Sequence, residues 1–288
     1  MTMKKIIITL LIALSAQMVS AYSPQVLRMH CEKDTTKIEA LLAEGLESGI
    51  KSGNGLIAFY AEKLLGTPYV AHTLEGDQEY LSINIDQLDC TTFVETLAAL
   101  SRCTMTNRRS WRDFASMLEN IRYKGGKIDG YASRLHYISA WVIDNTTRGN
   151  LKEVTGDNDK CYYVVKTLNF MSRHRDKYES LKDDDTFEKV RGIEIGFFSH
   201  RYPILKKSSL KSKSVAQWLR DGDIIAITTN VEGLDVSHMG IVKIVDGVPH
   251  LLHASMTQGE VIIDKDTLYD MLTGWRSATG IRVIRLIE

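Results

Sequence analysis

Residues 238–255 read HMGIVKIVDGVPHLLHAS, two apolar runs joined by Asp246-Gly247. An Asp-Gly pair between such runs marks a two-residue hairpin, because both central positions of the favoured turn need positive φ. With those residues as the turn, Val245 lies opposite Val248, Gly240 opposite His253, and His238 opposite Ser255. His238 and His253 then share one face of adjacent strands, on a diagonal of about 7–8 Å at the backbone. Two imidazoles can touch across that diagonal, and Gly240 has no side chain to obstruct the His253 ring. A three-residue turn would send one histidine to the other face, so the pairing rests on this turn.

Outward from the hairpin, 224–228, 261–263 and 281–287 also read as strands, by period two or by short continuous apolar runs. The preceding two thirds read mostly as helix: 36–50, 56–65, 110–122, 132–146 and 185–199 carry apolar residues at three- and four-residue spacing. Only 81–85 breaks that pattern as a strand, and Gly66-Thr67-Pro68-Tyr69 ends the second helix. Helices first and an antiparallel sheet second is the order of an α+β domain. Trp141 and Trp218 sit in helical patterns and are expected in the core, whereas Gly222 and Asp223 read as structural turn residues.

Before the strand region lies LDCTTFVE, residues 88–95. Phe93, Val94, Leu97, Ala98 and Leu100 trace one helical face, which puts Cys90 at a helix N-terminus with Asp89 as N-cap. The helix dipole and free amides there favour a thiolate and can stabilise an oxyanion. A thiol nucleophile needs a base, and the base an orienting partner; His238 and His253 supply both. Taken singly, a cysteine at a helix start is more often buried or half a disulfide, and paired histidines more often polar core. Zinc is disfavoured, since no carboxylate or cysteine sits at ligand spacing beside either histidine.

The chain has 288 residues, with 36 Lys and Arg against 36 Asp and Glu, so it lacks the basic excess of a nucleic-acid binder. At 44% apolar and 25% charged it is ordinary globular protein. Residues 1–21 combine Lys4 and Lys5, a short apolar run and a terminal Val19-Ser20-Ala21, which is a cleavable export signal. The remaining 22–288, without a Pro/Ser/Gly linker, is expected to form a single domain with no membrane span after cleavage. Export permits disulfides; with Cys90 free, Cys31, Cys103 and Cys161 allow one pair.

The blocks LDCTTFVE, DGDIIAI, VSHMGIVK and LLHAS, in the order Cys, His, His, resemble the motifs of the NlpC-type papain-like cell-wall hydrolases. Gly66-Thr67-Pro68-Tyr69 matches the segment upstream of that family's nucleophile. Thr91-Thr92 in place of the commoner Ser-Gly, with the helical insert around Ser133-Arg134-Leu135-His136-Tyr137, resembles the N-acetylmuramoyl-L-alanine amidase-like branch. The resemblance implies a papain-like α+β fold, helices packed on an antiparallel sheet with helical insertions. It implies Cys90 as nucleophile, His238 as base and His253 as orienting residue, with no metal and no cofactor. Tyr69 matches the position that helps bind the oxyanion. Arg134, His136 and Tyr137 are candidates for substrate binding, since a guanidinium in a cleft suits a stem-peptide carboxylate. The expected activity is an exported, periplasmic or secreted, monomeric cysteine amidase on muropeptides, cutting between the muramic acid lactyl group and L-Ala. The alternatives are a D-glutamyl–diamino acid endopeptidase of the same superfamily, a non-catalytic wall-binding protein, and a metal-dependent hydrolase using the two histidines.

Overall fold

A computed structural model of the protein describes residues 27–287; the expected signal at 1–21 lies outside them. Strand β1 (Leu27–Met29) pairs in parallel with β2 (Leu81–Ile83), and helices α1 (Lys33–Glu47) and α2 (Gly53–Lys63) lie between them in sequence. Helices α3 (Cys90–Met105), α4 (Trp111–Arg122) and α5 (Ile138–Thr147) follow. The next segments are β3 (Leu151–Glu153), β4 (Cys161–Lys166), α6 (Asp184–Ile195) and β5 (His200–Lys206). The chain finishes as β6 (Ile224–Thr229), β7 (Val236–Val245), β8 (Val248–Ser255), β9 (Glu260–Thr267), α7 (Leu268–Gly274) and β10 (Ala278–Leu286).

The main sheet runs β4-β5-β10-β6-β7-β8-β9, with β3 also paired to β10, and every pairing in it is antiparallel. Alternation along the strands divides two cores. Ile224, Ala226, Met239, Ile241, Leu252 and Ala254 pack with the helical layer, and Ile225, Ile227, Val242, Leu251 and Val283 form a second cluster. A sheet covered on both faces explains why β6 reads as an unbroken apolar run rather than an alternation. A third cluster, including Tyr131, Tyr137, Met171 and Val190, forms the core of the helical insert. Trp141 is 1% exposed and belongs to the first core, and Trp218 packs against the second.

Buried charge ties the layers together. Arg122 donates through Nε to Glu95 at 2.6 Å and through Nη1 to the Ser82 carbonyl at 2.8 Å, joining α4 to α3 and β2. Both side chains are nearly fully buried, so loss of either would strand a charge at a cost of about 3–5 kcal/mol. Asp223 accepts from Asn54 of α2, from Arg285 of β10 and from the Arg220 amide. Gly222 is forced by space as well as by φ +78, since a Cβ there would stand 1.9 Å from the Asn54 carbonyl oxygen. These two are structural turn residues, as their position predicted.

The largest departure from the sequence reading is the β4–β5 pair, joined through α6, which puts strand inside the expected helical two thirds. Its residues escape the pattern because Tyr162, Tyr163 and Val165 are exposed on both faces of an edge strand, giving neither alternation nor a buried run. The helix expected over 132–146 begins only at Ile138, after a single 3₁₀ turn at Tyr131–Ser133. Strand β9 runs to Thr267, past the expected end at residue 263, through an irregularity opposite Leu251.

The hairpin turn forms as expected. Asp246 and Gly247 have φ +50 and +79, and the ladder runs from Val245↔Val248 to Ile241↔Leu252. Beyond it a Cβ on Gly240 would stand 2.9 Å from both His253 Cβ and the Leu252 carbonyl. Gly240→Ala should therefore lower stability by about 1–3 kcal/mol, the usual range for overpacking, and thermal or urea denaturation will measure it.

Candidate active site

The segment around Cys90 is built by a reciprocal cap. Asp89 Oδ1 accepts the amides of Thr91 at 3.0 Å and Thr92 at 2.8 Å, and Asp89 donates its own amide to Thr92 Oγ1 at 2.9 Å. This capping box fixes the start of α3 one residue before Cys90. It also gives the Thr91-Thr92 pair a local reason: Thr92 completes the box, and Thr91 Oγ1 lies 3.9 Å from Cys90 Sγ.

Helix α3 packs against β7 and β8. The backbone amide of Met239 donates to the Cys90 sulfur, so the thiol meets the strand at the residue following His238. Across the hairpin, His238 Nε2 and His253 Nδ1 are 2.6 Å apart, with their rings at 89°. The predicted register thus does bring the two imidazoles together on one face. Trp275 leans on His238 with centroids 5.7 Å apart, and His253 Nε2 lies 3.7 Å from Asp264 Oδ2.

Burial decides the charge state of the site. It pushes the Cys90 thiol up to about 11, and the Asp89 carboxylate raises it further, outweighing the Met239 amide. The N-cap that orders the helix therefore opposes its dipole at the sulfur, which the sequence reading in terms of the dipole alone did not weigh. Burial, with His253 alongside, also holds His238 down to about 3. The resting pair is a neutral thiol and a neutral imidazole. His253 is lowered by burial as well, against an opposing pull from Asp264.

Tyr69 joins this group. Parallel bridging to Leu88 and a hydrogen bond from its own amide to the Gly259 carbonyl at 2.7 Å hold it beside the segment around Cys90. Burial first, with Cys90 and Asp89 nearby, raises its hydroxyl, which stays a proton donor at neutral pH.

Arg134, His136 and Tyr137 lie elsewhere, in the helical insert, and all three line a cavity of about 540 Å³ with Ile143, Val190 and Ile193. Cys90, His238 and His253 do not line it. Arg134 does not present a free guanidinium: it is 8% exposed, pairs with Glu75 at 2.9 Å and Glu79 at 3.3 Å, and stacks over Tyr131. His136 Nε2 meets the Tyr131 carbonyl at 2.9 Å, and the Tyr137 hydroxyl donates to Glu194 at 2.6 Å. Each is engaged by its own protein. Glu75, Glu79 and Asp264 were missed because a lone carboxylate in a loop or at a strand end carries no periodic signal. All four cysteines, each among the described residues, are free.

A neutral resting thiol has a measurable signature. The rate of Cys90 alkylation by iodoacetamide, followed by peptide mass spectrometry, should climb with pH to beyond 9. A rate already level below pH 7 would reveal a preformed thiolate–imidazolium pair instead.

The chain resembles several proteins of known structure. It is 41% identical to an N-acetylmuramoyl-L-alanine amidase from Bacteroides uniformis, with 82% of this chain and 99% of that one covered and a TM-score of 0.77. A proposed xylanase from Bacteroides fragilis is 42% identical over 78% of this chain and 98% of its own, with a TM-score of 0.73. A Legionella pneumophila protein, 22% identical over 89% and 95% with a TM-score of 0.69, shares the fold. No curated protein sequence matches the chain. The family model described as AmiA-like, N-acetylmuramoyl-L-alanine amidase-like, matches residues 60–280, a span that holds Tyr69, Cys90, both histidines and strands β6 to β9. The chain belongs to this N-acetylmuramoyl-L-alanine amidase-like family of peptidoglycan hydrolases.

Proposed function

We propose that the protein is an exported cysteine amidase that hydrolyses the bond between the muramic acid lactyl group and L-Ala in peptidoglycan fragments. The observation that carries the mechanism is the 2.6 Å contact of His238 with His253, one residue from the amide that touches the Cys90 sulfur. With Nε2 engaged by His253, His238 has Nδ1 left to serve the thiol. Substrate binding triggers proton transfer from Cys90 to His238 as the sulfur attacks the lactyl carbonyl carbon. The oxyanion is met by the Cys90 amide at the start of α3 and by the Tyr69 hydroxyl. Protonated His238 then returns its proton to the L-Ala nitrogen as the C–N bond breaks, leaving a thioester on Cys90. Water, deprotonated by His238, attacks the thioester carbon and releases the muramic acid carboxylate with the thiol restored.

Support for this bond comes from family membership and from the B. uniformis amidase. Xylanase chemistry would require two carboxylates facing each other across a sugar. Here Asp89 is occupied by the α3 cap next to the Cys90 thiol, and the polar groups on the facing hairpin are two imidazoles in contact with each other. Residues 1–21 supply the export signal, and among the described residues no helix is long and apolar enough to cross a membrane.

Cys90→Ala should abolish turnover without changing the fold, as judged by circular dichroism. His238→Ala should cost more than His253→Ala, since the base takes part directly; a lost proton-transfer role costs about 10²–10⁴-fold in rate. Mass spectrometry of defined muropeptides decides the bond. Free peptide beginning with L-Ala, alongside free muramyl sugar, is the expected product. A muramoyl-L-Ala-D-Glu product would assign the chain to the endopeptidases instead.

A further inference from the structure

We propose that Asp264 is a positioning residue that fixes the proton arrangement of both histidines, so that His238 presents a bare Nδ1 to the nucleophile. The proposal rests on the reading of Cys90, His238 and His253 as the reacting machinery. His253 is 7% exposed, and its Nε2 is buried without a hydrogen-bond partner. The group facing that nitrogen is Asp264 Oδ2, 3.7 Å away. Asp264 reaches it by register. His253 pairs with Ile262, and Asp264 is the next residue on the same face of β9. There β9 departs from regular pairing: Leu252 pairs with Ile263 but His250 with Thr267, so extra residues bulge out from Asp264 onward. Bulges beside active sites re-aim side chains in this way. The carboxylate is itself held, with Oδ1 accepting the Asp266 amide at 2.9 Å, while the Asp264 carbonyl meets His250 Nδ1 at 3.0 Å.

The logic is a count of protons. A neutral imidazole has one N–H, and the other ring nitrogen accepts. A carboxylate facing His253 Nε2 selects the form with the proton on that nitrogen, which leaves His253 Nδ1 as an acceptor. The 2.6 Å contact then requires His238 Nε2 to be the donor. His238 Nδ1 is left with its lone pair free, the form a general base needs. Without Asp264, His253 can carry its proton on Nδ1, and His238 must then place its own on the nitrogen meant to receive one. As His238 becomes an imidazolium during attack, the same carboxylate, relayed through His253, stabilises the charge. The titratable groups set against His253 are His238 from β7 and Asp264 from β9.

Nitrogen-15 NMR of the wild-type protein labelled at histidine tests the first step without any variant. Both His238 and His253 should carry their neutral-form proton on Nε2 at pH 7; a proton on His253 Nδ1 would overturn the proposal. Kinetics test the second step. Asp264→Ala should lower kcat about 10- to 100-fold, the usual effect of losing an outer partner of a functional histidine, with KM changed less than about twofold. Asp264→Asn keeps an oxygen to accept Nε2–H and should retain more activity than Asp264→Ala. Loss of its charge should move the acid limb of kcat/KM to lower pH, a shift that a purely structural role would not cause. In a His253→Gln background Asp264→Ala should cost little; an equal cost in both backgrounds places Asp264 outside the relay and overturns the proposal, as do unchanged kcat and pH profile. Full activity in Cys90→Ala would instead overturn the nucleophile assignment, whatever Asp264 does.

Discussion

Two backbone conformations hold the site together. Asp246 and Gly247 both take positive φ, and this fixes the pairing of β7 with β8 to a single register. Side chains alternate along a strand, so a slip of one residue would move His238 to the face opposite His253 and exchange the residues feeding the two cores. The register is thus over-determined. The apolar contents of both sheet faces enforce it from the strands, and the turn enforces it from the loop. Gly240 belongs to the same constraint, as its missing side chain leaves the space against the His253 Cβ.

Against this rigid ribbon the helical layer delivers the thiol. Helix α3 is buried along most of its length, is clamped by the Arg122–Glu95 pair and begins in a capping box, so Cys90 has little positional freedom. The Met239 amide reaches the sulfur just past the point where the β7–β8 ladder ends at Ile241↔Leu252. A strand amide released from its ladder needs a partner, and here that partner is the Cys90 sulfur. Order around the sulfur is bought with desolvation, which together with Asp89 keeps the resting site uncharged.

Much of this was legible in the residues because the signals were short-range and physical. Asp246-Gly247 names its own turn, Asp89 precedes an apolar helical face, and Gly222-Asp223 marks a turn. What escaped was set by tertiary context. Strand β4 is an exposed edge strand whose residues lack a period, its partner β5 comes only after α6, and β9 extends through an irregularity beyond its apolar core. Arg134 shows the same limit from the other side. A lone arginine in an insert does not reveal that two glutamates from a loop nearly sixty residues earlier will meet it. Its job is to hold that loop against the insert. Tyr69 goes the other way: its distance along the chain from Cys90 is bridged by pairing of its strand segment with Leu88.

The uncharged resting sulfur has a consequence for how long the protein lasts. Peroxides and reactive electrophiles attack thiolates, and damage climbs from sulfenic acid to forms that no longer revert. A side chain pushed up to about 11 presents almost no thiolate at neutral pH, so the first rung of that ladder is slow to be reached. Burial at Cys90 therefore trades some intrinsic reactivity of the sulfur for resistance to oxidation.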